Sequence, residues 1–356
     1  MAFFTLNSDI TIGSFRFSGV HEVRIKRSMH SYADTASIKI PSACLLQKGQ
    51  LQSDGGVNIL PGAATEVITA DQFNYRDAVT IRLGYNGVLM EEFRGFVKRC
   101  NADMPLEVEC EGYIQPLRLD IDLSGYFAQT SAGKLLNMLT DGTGISVQVA
   151  DDITFYGLRL QPHANGEDVI RQIKQMSQGT LTIFFVNPST LWCGFTYTAY
   201  TQNKDPFGFG VVNYRLGYNV VKNNGLKQRV TEGEPVTIIM DGILATGQKI
   251  ETTSQYKYAQ NKVKALVNNI GDVATLQRMA NEKQYQENYA GYEGAINAFL
   301  QPYASPGYQA NIVDDIYPER NGIYLIESTE VTFGINGSRR KVEIGPKMGF
   351  VGDPGN

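Results

Sequence analysis

The segment VTIRLGYNGVLMEEFRGFVKRC, residues 79–100, decides the fold class of this chain. Its first part, VTIRL (79–83), alternates apolar with polar side chains, which is the pattern of a strand with one buried face. Asn86-Gly87 follows, and this dipeptide favours a tight type I′ turn because both residues tolerate a positive φ. Apolar residues return over 93–97, so the segment predicts a β-hairpin.

The sequence on both sides of this hairpin extends the β pattern. PLEVEC (105–110) alternates apolar with acidic residues, and ASIKIP (36–41) is a strand that ends at a proline. Between them, residues 42 to about 75 contain GQLQSDGG and LPGAATE and lack a sustained period. Residues 1–112 therefore predict a first β domain with an excursion at about 42–75, which is interpreted as a long loop or an insertion.

Residues 113–200 have a different pattern and predict a small α+β domain. Ser131 is placed to cap a short helix, and Asn165 with Asp168 forms a shortened capping box for a second helix. A strand over 180–186 and another over 191–197 follow, separated by a turn.

Residues 201–356 return to β structure with one helix, about 272–289. We expect strands over 214–221, 236–240, 310–316, 322–333 and 340–344. Asn321-Gly322 and Asn336-Gly337 are predicted to join the last three strands. This order repeats that of 79–112, so we interpret it as a structural duplication with very low sequence identity.

Bulk composition excludes several classes of protein. The 356 residues carry 32 basic and 36 acidic side chains, whereas a nucleic-acid clamp needs a basic excess to neutralise phosphates. No run of about eighteen apolar residues predicts a spanning helix, and MAFFTLNSDI lacks the features of a signal peptide. The product is therefore expected to start in the cytoplasm, where Cys44, Cys100, Cys110 and Cys193 are interpreted as small, buried apolar residues, without a disulfide.

The usual motifs of catalysis and metal binding are incomplete. His21, His30 and His163 form no helical His-x-x-x-His pair and are interpreted as surface or strand residues, and no Gly-x-Ser-x-Gly elbow occurs. DIDLSG (120–125) matches half of a calcium loop, but Ser131 stands where the bidentate acid belongs. Gly133-Lys134 lacks the rest of a phosphate loop. The sequence therefore nominates no catalytic, cofactor-binding or metal-binding residue.

Clusters of charge admit structural interpretations. The acid pairs at 91–92, 151–152 and 314–315 are expected to be loop and edge charges, because adjacent residues on a strand point to opposite faces. Glu107, Glu109 and Glu111 share one strand face, which is either solvated or the acidic lining of a channel. The basic run at 339–341 is interpreted as a solvated edge that discourages strand addition.

Five segments, in order, resemble the late-control-D and baseplate-hub family of contractile phage tails, which is shared with the N-terminal part of VgrG spikes of type VI secretion. They are VTIRLGYNGVLMEEFRGFVKRC (79–100), PLEVECEG (105–112), SAGKLLNMLTDGTGISV (131–147), NGEDVIRQIKQMSQGTLTIFFVNPSTLWCGFTY (165–197) and NGIYLIESTEVTFGINGSRRKVEIG (321–345). The first is similar to the family's Gly-Tyr-x-Gly turn before a Phe-x-Gly-φ-Val strand, whereas Gly112 departs from the usual acid. The match is poor over 42–75 and much of 225–270.

The resemblance implies a mainly β fold with two tail-tube-like β-barrels, at 1–112 and 201–356, and a small α+β domain at 113–200. Three chains would present six barrels, so that a homotrimer could join a trimeric spike to a hexameric tail tube around a central channel. The implied partners are the spike, the tail tube protein and the baseplate wedge proteins. Neither sequence-specific nucleic acid, nor membrane insertion, nor a cofactor is implied.

The implied location is the baseplate of a virion tail or another injection machine, assembled in the bacterial cytoplasm. Because the last strand is followed only by GPKMGFVGDPGN, a separate spike protein is expected. The resemblance implies a connector and not an enzyme. Two alternatives stay open: a tail-associated peptidoglycan hydrolase, and a tail protein that binds a receptor carbohydrate.

Overall fold

A computed structural model describes residues 5–17, 19–46, 49–51, 57–59, 65–118, 124–202, 204–229, 236–244, 246–257, 261–289 and 291–348. The fold is mainly β with few helices, as the sequence predicts. The chain divides into two compact units. Unit 1 comprises residues 1–25, 35–112 and 331–338, and unit 2 comprises residues 26–34, 113–330 and 339–356. The division into 1–112, 113–200 and 201–356 stays a prediction.

Unit 1 is built from β-strands and one 3-10 turn, Thr69–Gln72. The strands are β1 (Leu6–Ile12), β2 (Phe15–Phe17), β3 (Glu22–Ser28), β4 (Thr35–Ile40), β5 (Ala43–Leu46), β6 (Gly49–Leu51), β7 (Val57–Ile59), β8 (Thr65–Ile68), β9 (Ala78–Tyr85), β10 (Val88–Asn101) and β11 (Leu106–Glu111). The last three residues of β3 belong to unit 2. The main sheet of unit 1 has the order β3-β4-β11-β10-β9-β1-β2.

The β9–β10 hairpin has the predicted turn. Asn86 and Gly87 adopt φ values of +53° and +83°, and Tyr85 pairs with Val88 across the turn. Glycine adopts a left-handed conformation without steric cost because it lacks a Cβ, and Asn tolerates it because its short polar side chain can form local hydrogen bonds, so both residues suit these positions. The alternation in 79–83 places every second side chain in the core, where each contributes about 1.5–3 kcal/mol of hydrophobic stabilisation.

The excursion contains more regular structure than expected. β5 pairs with β8 and β6 pairs with β7, both antiparallel. The interpretation of 42–75 as a loop is therefore wrong for these four strands. Residues 47–48, 52–56 and 60–64, on which the expectation of an exposed, protease-sensitive segment at 48–66 largely depends, lie outside the described residues.

Unit 2 combines strands with five α-helices among its described residues. The helices are α1 (Ile114–Leu117), α2 (Ala132–Thr140), α3 (Gly166–Met176), α4 (Thr196–Thr201) and α5 (Val273–Asn288), with a 3-10 turn at Pro318–Arg320. The strands are β12 (Gly125–Ser131), β13 (Ser146–Val149), β14 (Thr154–Leu160), β15 (Thr182–Asn187), β16 (Thr190–Gly194), β17 (Val211–Arg215), β18 (Val220–Arg229), β19 (Thr237–Leu244), β20 (Lys249–Thr253), β21 (Lys262–Ile270), β22 (Gly291–Ala298), β23 (Gln309–Val313), β24 (Gly322–Gly334) and β25 (Gly337–Lys347).

Three groups of strands organise unit 2. One five-stranded sheet has the order β12-β14-β21-β19-β20, and a three-stranded sheet has the order β13-β16-β15. Helices α2, α3 and α5 contribute apolar side chains to a core shared with both sheets, including Leu136, Ile170 and Leu276. A third group contains β18-β22-β25-β24, with β23 between β24 and β17. The tip of the β24–β25 hairpin, residues 331–338, belongs to unit 1.

The helix starts agree with the caps read from the sequence. The Ser131 hydroxyl accepts a hydrogen bond from the Lys134 N–H, as an N-cap residue does. Asn165 and Asp168 form the predicted reciprocal capping box. Asp272 caps α5, which ends one residue before the predicted limit of 289.

Three local predictions for the later part of the chain are wrong. The strand expected over 191–197 ends at Gly194, because helix α4 begins at Thr196. The strand expected over 214–221 is divided into β17 and β18 by a turn in which Gly217 has a φ of +78°. Asn321-Gly322 is not a two-residue hairpin, since a 3-10 turn over 318–320 lies between β23 and β24.

The described strands do not close into barrels. In unit 1 the order ends at β2, and in unit 2 it ends at β18 on one side and at β17 on the other. The mainly β prediction is thus confirmed, whereas the two closed barrels that the resemblance implies are not shown. Among the described helices, none has the length and apolar character needed to cross a membrane.

Candidate functional site

The acidic row on β11 is paired with cations from the neighbouring strand. Arg99 donates two hydrogen bonds to Glu109, at 2.8 and 2.7 Å, and Lys98 donates one to Glu111 at 2.7 Å. Glu107 lies next in the row, where its carboxylate accepts a hydrogen bond of 2.6 Å from a serine hydroxyl on β4. The hydrogen bonds from Arg99 lower the pKa of Glu109. The row is therefore a cross-strand ladder of paired charges and not a bare acidic surface.

The adjacent acid pairs have separate structural roles, as expected for neighbours that point in different directions. Asp151 accepts a hydrogen bond of 2.9 Å from the Phe195 N–H, and Asp152 accepts one of 2.9 Å from the Gly133 N–H. Gly133 and Lys134 thus lie in the first turn of α2, where the hydrogen bond to Asp152 satisfies one N–H group of the helix terminus. In the other pairs, Glu91 binds Arg94 at 2.6 Å, Asp314 binds Arg320 at 3.0 Å, and Asp315 binds Arg215 at 2.8 Å. The expectation of loop and edge charges is wrong for Glu92, which is buried on β10 between β9 and β11, and for Asp314, which is also buried.

Arg340 contradicts the interpretation of the basic run as a solvated edge. Its side chain is only 1 % exposed, and its strand, β25, lies between β22 and β24. The guanidinium donates hydrogen bonds to the carbonyls of Ala304, at 2.6 Å, and Leu300, at 3.1 Å. It also lies 5.0 Å from the ring centroid of Tyr303. A cation buried among carbonyls and an aromatic face holds the 300–304 segment against the strand.

A sequence signal for this burial exists. Along β25, the buried positions alternate with exposed ones, and Arg340 has the same parity as Val342 and Ile344. Because strand side chains alternate between faces, the parity of the apolar residues fixes Arg340 inward. The run at 339–341 therefore contains one buried cation between two exposed ones.

His30 belongs to a polar cluster in unit 2. Its ring Nε2 lies 3.2 Å from the Glu327 carboxylate, and this hydrogen bond raises the pKa of His30. The hydroxyl of Tyr197 donates to the other carboxylate oxygen at 2.7 Å. His21 and His163 lie elsewhere, and His163 adopts a left-handed φ of +61° in a loop. Of the three histidines, the structure thus gives only His30 a carboxylate partner within the described residues.

Glu282 is the most deeply buried carboxylate of this cluster, with no exposed surface. It extends from α5 to the start of α4, where it accepts hydrogen bonds from the N–H groups of Tyr197, at 3.0 Å, and Thr198, at 2.7 Å. The Thr198 hydroxyl donates a third, at 2.7 Å. Burial raises the pKa of Glu282 to about 7.

The position of Glu282 explains why α4 escaped prediction. The N-cap residue of α4, Phe195, forms no side-chain hydrogen bond that caps the helix. The free N–H groups in the first turn of α4 therefore bind Glu282, which lies on the distant helix α5. The sequence does contain a signal for the burial of Glu282. It follows Met279 by three residues and therefore lies on the same, buried face of α5. Because the carboxylate is sealed, it can hold a helix terminus but cannot contact a substrate.

The expected burial of the cysteines is confirmed for Cys110 and Cys193 and is wrong for Cys100. Cys110 and Cys193 are buried, and burial raises the pKa of the Cys193 thiol to about 12. Cys100 is partly exposed. The side chain of Cys44 and the segment 119–123, which contains the first four residues of the half calcium loop, lie outside what the structure describes. Among the described residues, no group of three His, Cys, Asp or Glu side chains is arranged to hold a metal ion.

Two open clefts lie on unit 2. The first, of about 310 Å³, is lined by the polar cluster and by two lysines: His30, Tyr197, Lys174, Lys283 and Glu287. Lys283 pairs with Glu287 at 3.2 Å, and Lys174 donates to the His30 carbonyl at 3.2 Å. The second, of about 340 Å³, lies between β14 and β21 and is bordered by α3.

Comparison with known proteins finds no matching family model and no matching curated protein. Solved structures, however, share the fold along nearly the whole chain. The 43 kDa tail protein of prophage MuSo2 from Shewanella oneidensis is 13 % identical, with 95 % of this chain and 97 % of that chain covered and a TM-score of 0.58. A tail protein from Neisseria meningitidis MC58 is 11 % identical, with 95 % and 96 % covered and a TM-score of 0.60.

A third structure comes from a secretion machine. It is an E. coli protein described as a component of the type VI secretion system with structural similarity to T4 bacteriophage tail proteins. It is 10 % identical, with 95 % of this chain and 76 % of that chain covered, at a TM-score of 0.53. At these identities the likeness shows the fold. This chain has the fold of phage tail proteins and of a type VI secretion component, as the resemblance of its segments predicts.

Proposed function

We propose that this chain is a structural hub subunit in the baseplate of a contractile injection machine, of the late-control-D type. In this proposal a homotrimer joins the spike to the hexameric tail tube and forms part of the central channel. Its neighbours are the spike protein, the tail tube protein and the baseplate wedge proteins. The assembly takes place in the bacterial cytoplasm, and the role is mechanical, without catalysis.

The observation that carries the proposal is the end-to-end fold shared with two tail proteins, each covered over more than nine tenths of its length. A chance match of one sheet or one domain would cover only part of both chains. The further likeness to a type VI secretion component extends the fold to a second kind of injection machine. Fold by itself does not fix function, so the proposal needs a direct test.

The free strand edges support an assembly role. The main sheet of unit 1 ends at β2, and the third strand group of unit 2 ends at β18. Unpaired edges are a liability in a monomer, and pairing with neighbouring chains in a ring removes them. We infer that barrels at 1–112 and 201–356 are completed in this way, so that three chains give a pseudo-sixfold ring.

The charge of the chain suits a conduit. A net charge of −4 does not favour the retention of passing DNA, and the cations of the β11 ladder are paired with carboxylates. The proposed partners therefore include no sequence-specific nucleic acid.

The test is a cryo-electron microscopy structure of this chain assembled with the spike and tail tube proteins encoded beside it. We expect three copies around the axis, each with two tube-like barrels facing the tube. One barrel per chain, or a stoichiometry other than three, would overturn the hub proposal. The isolated chain is allowed to be monomeric, since its neighbours supply much of the interface. Zymography on cell walls and glycan-array binding test the two alternative functions directly.

A further inference from the structure

Strands β14 and β21 begin as antiparallel neighbours and then separate. Among the described residues, the two strands pair at one position, where Phe155 lies opposite Ile270. Continued in register, the ladder would place Gly157 opposite Asn268, and Arg159 opposite Leu266. Instead, these four residues line the open cleft of about 340 Å³. The five-stranded sheet therefore contains a gap where a ladder could continue.

Gly157 provides the local cause of the separation. It has a φ of +61°, a left-handed conformation that is foreign to a regular strand. It lies two residues beyond the paired Phe155, so β14 bends away from β21 at the point where pairing stops. On its other side β14 stays paired with β12 as far as Leu160.

Two glutamine side chains occupy the positions of the missing backbone partners. The Gln172 amide donates to the carbonyl of Arg159 at 3.2 Å, and the Gln178 amide donates to the carbonyl of Leu266 at 3.0 Å. Arg159 and Leu266 are the residues that would lie opposite each other in the continued ladder, where each carbonyl would accept from an N–H of the other strand. Strand carbonyls require donors, and side-chain amides are donors that an incoming backbone N–H can replace.

The side of β21 that faces the cleft is suited to strand addition. The N–H and C=O of one residue in a strand point to the same side, so the Leu266 N–H is also directed toward the gap. The opposite side of β21 is used by β19, which pairs with it in parallel along its whole length. Leu266 keeps 52 % of its side chain exposed, which provides an apolar contact for an alternating segment.

The cleft also has a charge preference. Its lining includes one cation, Arg159, and no carboxylate. Within the described residues, no ion pair involves Arg159, which is exposed. An occupant with an acidic side chain near this position would be favoured over one with a basic side chain, because opposite charges attract in a partly desolvated cleft.

We propose that this cleft accepts an extended segment of a partner polypeptide, which adds as a strand to the open edge of β21 and directs an acidic side chain toward Arg159. The segment displaces the amides of Gln172 and Gln178 and restores backbone hydrogen bonds on both sides of the gap. Main-chain pairing supplies the affinity, and the acidic and apolar side chains supply the selectivity. The inference depends on the cleft alone and holds for any function of the whole chain.

The test uses the full chain and a fluorescein-labelled peptide of about seven residues, a typical strand length, with alternating Thr and Val around a central Glu. Fluorescence anisotropy should show binding of this peptide. A peptide with Lys in place of the Glu should bind at least about tenfold more weakly, a difference of one charge contact. The Glu peptide with N-methyl groups on alternate backbone nitrogens should not bind, because it cannot donate to β21.

Variants of the chain locate the site. Arg159→Glu should reverse the preference, so that the Lys peptide binds more tightly than the Glu peptide. Lys249→Glu, the same charge change on exposed strand β20 of the same sheet, should leave the preference unchanged. Gln178→Ala should strengthen binding several-fold, since the peptide no longer competes with the amide. Absence of Glu-peptide binding to the native chain, or an unchanged preference in Arg159→Glu, would overturn the proposal.

Discussion

The β9–β10 hairpin and the β24–β25 hairpin share an Asn-Gly dipeptide but use it differently. In the first, Asn86 and Gly87 are the two turn residues and both have positive φ. In the second, β24 ends at Gly334 and β25 begins at Gly337, so Ile335 and Asn336 form the turn. Gly337 has a φ of +99°. Gly337 is thus the residue that follows the turn. In a three-residue hairpin connection this third position requires a left-handed conformation.

The charges on the two hairpins differ more than the turns do. Arg99, near the end of the first hairpin, has 63 % of its side chain exposed and binds Glu109 across the strands. Arg340, early in the returning strand of the second, is almost completely buried and binds carbonyls. A cation in solvent gains little from its partner, whereas a buried cation depends on every hydrogen bond it makes. Arg340 has the parity of the buried Val342 and Ile344, whereas a β-bulge between Val97 and Arg99 places Arg99 on the exposed face although Val97 is buried. The face of the strand, and not the residue type, therefore decides the role of each arginine.

The largest effect should come from Arg340→Ala. The change removes two charge-assisted hydrogen bonds, each of about 1.5–3 kcal/mol, and leaves the carbonyls of Ala304 and Leu300 buried. We expect the free energy of unfolding of unit 2 to fall by about 4 kcal/mol. Urea titration followed by the fluorescence of Trp192, a fully buried residue of the same unit, measures it.

Its matched control is Lys341→Ala, the exposed neighbour on the same strand, which should change the free energy by less than about 0.5 kcal/mol. Equal effects of the two variants would show that Arg340 is not held as the structure places it, and the contrast between the hairpins would fail.

The next effect concerns Glu282, a second ionisable group that is fully buried in unit 2. Since burial raises the pKa of Glu282 to about 7, the folded protein holds this proton more tightly than the unfolded chain does. That contribution to stability is fully present below the ordinary carboxyl pKa and is lost as the pH rises through about 7. Glu282→Gln keeps an acceptor oxygen for α4 but cannot ionise.

We therefore expect the native chain to lose about 3 kcal/mol more of its unfolding free energy between pH 4.5 and pH 8 than Glu282→Gln does. The difference between the two chains removes the effect of His30, whose pKa is raised in both. Parallel pH profiles of unfolding, measured by Trp192 fluorescence, would contradict a titrating Glu282.

A smaller effect should separate the two turns. Asn86→Ala places a residue that tolerates a left-handed conformation less well than Asn does, and it removes the acceptor of the Thr5 N–H, so unit 1 should lose about 1–2 kcal/mol. Asn336→Ala should cost less than about 0.5 kcal/mol, because Asn336 has no positive φ. Thermal unfolding followed by circular dichroism compares them. A larger loss in Asn336→Ala would reverse the assignment of the turns.

The smallest effect should come from Arg99→Ala on the exposed ladder. The pair with Glu109 lies in high dielectric, so its loss should shift the thermal midpoint less than any variant above. At about 1 M salt, where the screening length is about 3 Å, the native and variant midpoints should coincide. A shift that persists at high salt would mean that the β11 row is shielded from solvent.

The sequence by itself determined the local structure where the required signal is local. The Asn86-Gly87 turn needs two residues that tolerate positive φ, and the caps at Ser131 and Asn165 bind N–H groups three residues away. Alternation in 79–83 fixed a buried face. The order of five such segments predicted the fold shared with tail proteins. The alternation of buried and exposed positions along β25 also determined that Arg340 is buried, although its charge suggested an exposed position.

The tertiary structure alone decided features whose partners are distant in the chain. Helix α4 exists where a strand was expected because Glu282, more than eighty residues later, caps its first turn. The gap between β14 and β21 depends on two strands that are more than one hundred residues apart, and on glutamines that bind both edges. Neither the cap of α4 by Glu282 nor the gap between β14 and β21 can be recognised in a short stretch of sequence. Each is stabilised by groups that only folding brings together.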